Sequence, residues 1–339
     1  MKAKLLAAIL ASVVLMLAAL PAAAQQGRPI VEDFPPGSFS DGGHYKLEDF
    51  KGKVLVLFFY ESTCPTCRAT IPKINQTVLA CKDMPVKFIA VGASDTIQDV
   101  SSYVRETKLA MPAFVDSVGA MEGLWAWHLS LRNIYQFPII GPQGQLLNYS
   151  VPDRLEADVQ QAVKGVKWKY KDQGYDAKLK VPVELFEWNQ YEQGMRLLKP
   201  LRKSAGKGVA ESAEKLFEQV KQEGTEWKAQ ADKLAEEKPV AAFDLYTRIS
   251  NVFGDDELGK SVQEPLKKLK ADKKVEEELA ARKMLDQLYT AMPKATTQQR
   301  GQVEQYCLSI AKKYPTTVAG QRAEQIAKAI EFTAMAEKK

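Results

Sequence analysis

The sequence predicts an α/β sandwich over its first half and an all-α region over its second. Three observations carry this. The run from Lys53 to Tyr60 is almost continuously apolar, as expected of a central strand covered on both faces. Helical and extended segments alternate from there to about residue 166, the pattern of a sheet layered with helices. Beyond Trp168 the strand signals vanish and Lys, Glu, Ala and Gln dominate.

Residues 1–24 have the form of a secretory signal peptide. Lys2 and Lys4 precede an uncharged apolar run from Leu5 to Leu20, Pro21 breaks it, and Ala22-Ala23-Ala24 suits a signal peptidase. Cleavage is expected near Ala24–Gln25, giving an exported protein, periplasmic if the host is Gram-negative. A retained membrane anchor is the other reading of this leader. No Cys follows the apolar run, which argues against lipoprotein processing.

The α/β region is expected over residues 25–168. After a Pro/Gly-rich lead-in (28–43), the strand at 53–60 is followed by helical spacing over 71–80, with Pro72 inside it. A second buried strand is expected at 86–92, a helix at 99–108 and a short strand at 113–115. A hairpin is expected at 139–149 around Gly141-Pro-Gln-Gly144, then a closing helix at 155–166. Over 169–339 helical segments recur at 185–201, 209–223, 227–237, 240–253, 258–271, 275–292, 296–313 and 318–336. Leu245 to Gly254 weakly echoes Cys307 to Pro315, an amphipathic helix closed by an aromatic and a breaker. That leaves two arrangements open, TPR-like helical hairpins and an irregular bundle.

Composition narrows the function. The 339 residues carry 47 Lys and Arg against 42 Asp and Glu, a net charge of +5. This is not the balance of a nucleic-acid binder. His44 and His128 are the only histidines, which weakens any mechanism built on a His triad or a His-rich metal site.

Cys64-Pro65-Thr66-Cys67 follows the central strand and opens a helix. A cysteine there faces unpaired backbone N–H groups and the positive end of the helix dipole, which favours thiolate. Pro65 suits the first helical turn, where its missing N–H costs nothing. Cys64 is therefore the candidate nucleophile and Cys67, one turn on, the candidate resolving thiol. A zinc site would need a second close pair of ligands, and only Cys81, Cys307 and two scattered His remain. Residue 68 is Arg, which excludes a c-type haem motif. A purely structural disulfide stays as an alternative, with redox exchange favoured.

The segment from Val54 through Glu-Ser-Thr-Cys-Pro-Thr-Cys-Arg to Pro72 resembles the exported thioredoxin-like TlpA/ResA family. Cys64, Pro65, Cys67, Arg68 and Pro72 fall on the family's V-L-V-N-F-W-A-x-W-C-P-P-C-R-x-x-x-P pattern. The resemblance covers about residues 30–165 and implies a thioredoxin-like fold, a central mixed sheet flanked by helices, with thiol–disulfide oxidoreductase activity. It implies protein thiols and disulfides as substrates, a membrane or periplasmic electron donor, and no cofactor. Three departures stand out. Thr63 replaces the usual Trp. Phe58 stands where thioredoxins carry a buried Asp, leaving Glu61 as the nearest carboxylate to act as acid or base, or as a solvated loop residue. The family's substrate-docking loop has a cis-proline; alignment through Ile139-Ile140 and Gly144 puts Tyr135 there, while Pro138 takes the role only if the strand is shortened.

Cys81 and Cys307 read as apolar core residues, with a disulfide between them as the alternative. Trp125, Trp127 and His128 read as core before the docking loop, with protonation of a leaving thiolate as the alternative for His128. A peroxidase is disfavoured because Leu57 and Glu61 stand where peroxiredoxins carry Pro and Thr. The remaining alternative is a non-enzymatic envelope scaffold with a degenerate thioredoxin domain and a helical partner-binding or oligomerisation region.

Overall fold

A computed structural model describes residues 28–29, 33–35, 37–43, 45–125 and 137–337. The leader, His44, Trp127, His128 and Tyr135 lie outside them, and so do the expectations placed on those residues.

The apolar run forms β2 (Val54–Tyr60), buried along its whole length. Side chains alternate across a strand, so this one segment builds two cores. Val54, Val56, Phe58 and Tyr60 face α1 (Pro65–Ala80), α2 (Ile97–Thr107) and α4 (Leu155–Ala162). Leu55, Leu57 and Phe59 face a layer containing Phe34, Phe39, Phe50, Phe114 and Trp188. With both faces dry, β2 carries no charged side chain, and its one polar side-chain atom is the Tyr60 hydroxyl.

The sheet has six strands in the order β1-β6-β5-β2-β3-β4. β2, β3 (Val86–Ala93) and β4 (Ala113–Asp116) are parallel, joined by the crossover helices α1 and α2. β5 (Phe137–Ile140) and β6 (Gln145–Ser150) form an antiparallel hairpin on the other side of β2. Gly144 closes its turn at φ 80°, a left-handed value that glycine adopts without Cβ strain. This is the thioredoxin-like mixed sheet flanked by helices. Both sheet edges are paired by segments that precede β2. β1 (Arg28–Pro29) lies along β6. Residues 38–40 lie along β4, with Ser40 N–H donating to Ala113 O (2.8 Å) and Val115 N–H to Ser38 O (2.9 Å). The sequence reading did not anticipate β1 or the short helix α3 (Ala120–Leu124).

The second half is all helical: α5 (Lys180–Glu187), α6 (Tyr191–Arg202), α7 (Lys207–Leu234), α8 (Pro239–Phe253), α9 (Glu257–Lys260), α10 (Gln263–Lys270), α11 (Lys273–Ala291), α12 (Arg300–Lys313) and α13 (Val318–Ala336). Three boundaries differ from expectation, each for a packing reason. The helix expected over 185–201 is broken at Asn189, whose φ is 55°, and the break carries Trp188 onto the second face of the sheet. The helices expected at 209–223 and 227–237 are one, α7. Gly224 is there for close packing, since a Cβ would lie 2.3 Å from the Phe253 ring. The helix expected over 258–271 is two, α9 and α10, with Val262 buried between them.

The helical half has one core running from Tyr170 to Leu269 and a second from Ala281 to Ile330. The second also takes in Val118 and Ala120 from the α/β half. A Cβ on Gly123 would lie 2.0 Å from Ala329 O, so α3 and α13 meet backbone to backbone. Hydrogen bonds seal the seam: Thr333 Oγ1 donates to Gly119 O (2.7 Å) and Ser117 Oγ to Met292 O (2.8 Å). Cys81 is buried beneath the sheet among α1 and α4 residues, and Cys307 is buried among the last helices. Both are free thiols in separate cores, so the disulfide alternative between them is not realised. Burial raises the Cys81 thiol to about 11 and the Cys307 thiol to about 12.

Candidate active site

β2 delivers the chain to Glu61, and a tight turn reverses it into α1, Cys64 N–H donating to Glu61 O at 3.0 Å. Cys64 is the N-cap, with extended backbone (φ −73°, ψ 113°), and its sulfur accepts the Cys67 backbone N–H at 3.2 Å. A thiol thus serves the N-cap role usually given to Ser, Thr or Asp, which aims it at the positive end of α1. Cys64 is 4% exposed and Cys67 fully buried. Burial first, and then the hydrogen bond and charge of Cys64, push the Cys67 thiol far above its ordinary range.

The supporting residues divide into clamp and surface. Pro65 holds the first helical position and, like Thr66, is exposed. Pro72 is exposed inside α1, where its missing N–H leaves the Arg68 carbonyl without its helical donor. Arg68 closes the turn: its Nε donates to Ser62 O (2.9 Å), and its guanidinium sits 5.1 Å from the Tyr103 ring centroid and pairs with Glu106 (2.9 Å).

Asp95, on the loop after β3, grips the same turn from the far side. Its carboxylate accepts the Ser62 backbone N–H (2.8 Å) and hydroxyl (2.7 Å). Burial outweighs these bonds and raises its pKa to about 6. Glu61, half-buried, is also raised, by burial and by Glu337. Both line a cavity of about 310 Å³ beside Thr63, together with Glu122 and Glu337. Glu337, just past α13, is held by Arg300, whose Nη2 reaches Ser94 Oγ at 3.2 Å. The helical half therefore forms one wall of the space next to the motif.

Phe58, in the place of the thioredoxin acid, stacks on Phe137 (5.1 Å between centroids). Tyr60 stacks on Tyr103 (4.1 Å). Pro138 lies within β5, buried and opposite Tyr149, and its peptide bond is trans like every described one. This corrects the expectation that it could head a docking loop, because its backbone is already part of the sheet. Trp125 packs against the layer on the Leu55, Leu57 and Phe59 face of the sheet. Among the described residues no three His, Cys, Asp or Glu side chains converge as metal ligands.

Sequence reasoning missed Asp95, Ser62, Tyr103 and Glu337. Asp95 had a local signal, a short polar segment directly after a buried strand. Ser62 lies in the motif turn itself and shows its role only through the distant Asp95, while Tyr103 and Glu337 are brought in from segments far apart in sequence.

Residues 26–131 match the Redoxin family. The ResA thiol-disulfide oxidoreductase of Bacillus thuringiensis is 32% identical over 79 residues, 23% of this chain and 46% of that protein. ResA of Bacillus cereus is similar to the same extent. The chain thus spans about half the length of the curated relatives it matches. The solved thioredoxin domain of a thiol-disulfide oxidoreductase from Bacteroides vulgatus is 20% identical, covering 40% of this chain and 97% of that one, with a TM-score of 0.36. Cys64 and Cys67 thus lie within the residues that match the Redoxin family, in a region packed against a helical region of its own.

Proposed function

We propose that this chain is an exported thiol-disulfide oxidoreductase that exchanges a Cys64–Cys67 dithiol/disulfide couple with protein substrates. The observation that carries the reading is the 3.2 Å hydrogen bond from Cys67 N–H to Cys64 Sγ at the start of α1. It orients one sulfur at a helix N-terminus and keeps the second within the same turn. The ResA relatives bear the name of this activity.

In the reducing direction, Cys64 thiolate attacks a substrate disulfide. One substrate sulfur leaves as thiolate and a mixed disulfide forms. Cys67 then gives up its proton to a solvent base and attacks Cys64 Sγ. The Cys64–substrate bond breaks, the Cys64–Cys67 bond forms, and the second substrate sulfur leaves with the electron pair. The substrate gains two electrons and the protein loses two. The oxidising direction is the reverse, and a donor or acceptor in the envelope resets the couple. The signal-like leader supports export. Residues 25–168 are the redox part. Residues 169–339 supply a wall of the site and a surface for a protein partner or a second copy.

The test is a redox titration of the mature protein in graded glutathione buffers, with thiols alkylated and Cys64 and Cys67 counted by mass spectrometry. A reversible two-electron transition between about −120 and −300 mV is expected. A pair that stays locked or never oxidises overturns the reading.

A further inference from the structure

Arg248, in the third turn of α8, lies over two aromatic rings, its guanidinium carbon 4.2 Å from the Trp227 ring centroid and 5.0 Å from that of Tyr191. Among the described residues it makes no hydrogen bond and no ion pair. The carboxylate one turn before it, where an i,i+4 partner would sit, is Asp244, and both of its oxygens accept from Arg282. A half-buried guanidinium with its donors unused needs an account, because arginine is ordinarily exposed or paired. The residue before it poses the same question. Thr247 Oγ1 is buried and makes no hydrogen bond. A helical threonine commonly returns its hydroxyl to a carbonyl one turn back, as Thr107, Thr225 and Thr290 do here. Thr247 and Arg248 both line one cleft of about 930 Å³, between the lead-in around Phe34 and Tyr45 and the helices α6, α8, α11 and α13. This cleft shares no lining residue with the cavity beside Thr63.

Going beyond the redox reading, we propose that Arg248 and Thr247 head a carboxylate-binding site in this cleft, whose ligand is an acidic group carried by a peptide or by a small free acid. A guanidinium stacked on rings keeps its N–H edge for two parallel bonds to a carboxylate. The stacking also fixes the side chain in advance, so that less freedom is lost when the ligand arrives. The Thr247 hydroxyl supplies a further donor from the adjacent residue. The other charges of the cleft are largely committed. Arg282 holds Glu278 as well as Asp244, Asp33 accepts the Leu47 N–H, and Asp49 accepts the Lys46 N–H. These acidic walls surround Arg248 with negative charge, so a single carboxylate fits where a phosphate dianion or a polyanion is repelled. The volume is that of an ordinary ligand cleft, large enough for a free acid or for a few residues of peptide.

The test is a calorimetric titration of the full mature chain with three probes: a capped glycine pentapeptide with Glu at its centre, the same peptide with Gln there, and sodium glutarate. The Glu peptide should bind saturably and the Gln peptide about 10-fold or more weakly, the scale of one charge-assisted hydrogen bond. Arg248→Gln should reduce the Glu peptide to the level of the Gln peptide. Arg248→Lys keeps the charge but not the fork, and should recover only part of the loss. Thr247→Val leaves the stacked guanidinium in place and should weaken binding about fivefold, the scale of one neutral hydrogen bond. Arg196→Gln removes an exposed positive charge outside the cleft and should change nothing, which separates pairing from long-range charge. Glutarate binding that disappears in Arg248→Gln supports the site with a free acid as its ligand, and binding of the Glu peptide alone supports it with a peptide. No saturable heat from either carboxylate probe, or equal affinity in the parent and Arg248→Gln, overturns the proposal. Should Arg248→Gln fail to fold, unchanged affinity in Thr247→Val overturns it instead. The Cys64–Cys67 reading stands or falls separately, by its own titration.

Discussion

Lys53, at the threshold of β2, and Glu187, at the end of α5, form an ion pair of 3.0 Å with both side chains inside the protein. Glu187 also accepts the backbone N–H groups of Lys169 (3.0 Å), Tyr170 (2.5 Å) and Lys171 (2.7 Å). Burial alone would raise this carboxylate, yet the three amides and Lys53 hold it below the usual Glu range. A depressed folded pKa contributes stability that is present above the unfolded value and lost as pH falls through the folded one. Glu187→Gln should cost about 3 kcal/mol at neutral pH, the cost of breaking a buried pair. The difference from the parent should shrink below about pH 4, where unfolded Glu also protonates. Urea melts of both proteins at neutral and acidic pH measure this.

Serine is a good N-cap, so Cys64→Ser should keep stability within about 1 kcal/mol while abolishing disulfide exchange. Cys67→Ser should instead accumulate a mixed disulfide with a peptide substrate, because nothing within the turn resolves it. Mass spectrometry of the non-reduced reaction distinguishes the two.

Asp95 is expected to make folding pH-dependent in the opposite sense from Glu187. Its folded pKa, about 6, lies above the ordinary 3.8. The stability it contributes is fully present below the unfolded value and is lost as pH rises through about 6. Asp95→Asn should therefore flatten the melting temperature between about pH 4 and 7. Asp95→Ala should cost about 1–3 kcal/mol at any pH in that range by leaving the buried Ser62 groups unpaired. Calorimetry of the three proteins across that range tests both.

Gly123→Ala should destabilise by at least 1–3 kcal/mol, roughly the cost of overpacking, because the new methyl meets the Ala329 backbone rather than a side chain that can move. Gly208→Ala, where a Cβ meets nothing within 4 Å, should be neutral or stabilising by up to about 1 kcal/mol. Denaturant midpoints of the two variants give the comparison.

The strands were legible where burial is two-sided, as in β2, because an uninterrupted apolar run admits few other readings. The motif cysteines were legible because strand, cysteine and helix start are consecutive. Helix boundaries failed where a residue serves packing rather than its local preference. Gly224 looks like a breaker and is a space-maker, while Asn189 looks helical and turns the chain so that Trp188 can reach the sheet. Tyr103, Asp95 and Glu337 converge on the motif from three other segments, and nothing near Cys64 in the sequence announces them.

The pairing of residues 38–40 with β4 has a consequence for how the chain survives its own synthesis. The strip that shields this edge is made first, yet its partner emerges some seventy residues later. Until then neither has its mate, and an unshielded edge is a template for a neighbouring molecule. Aggregation during biogenesis should therefore track how soon the lead-in docks, more than the stability of the finished fold.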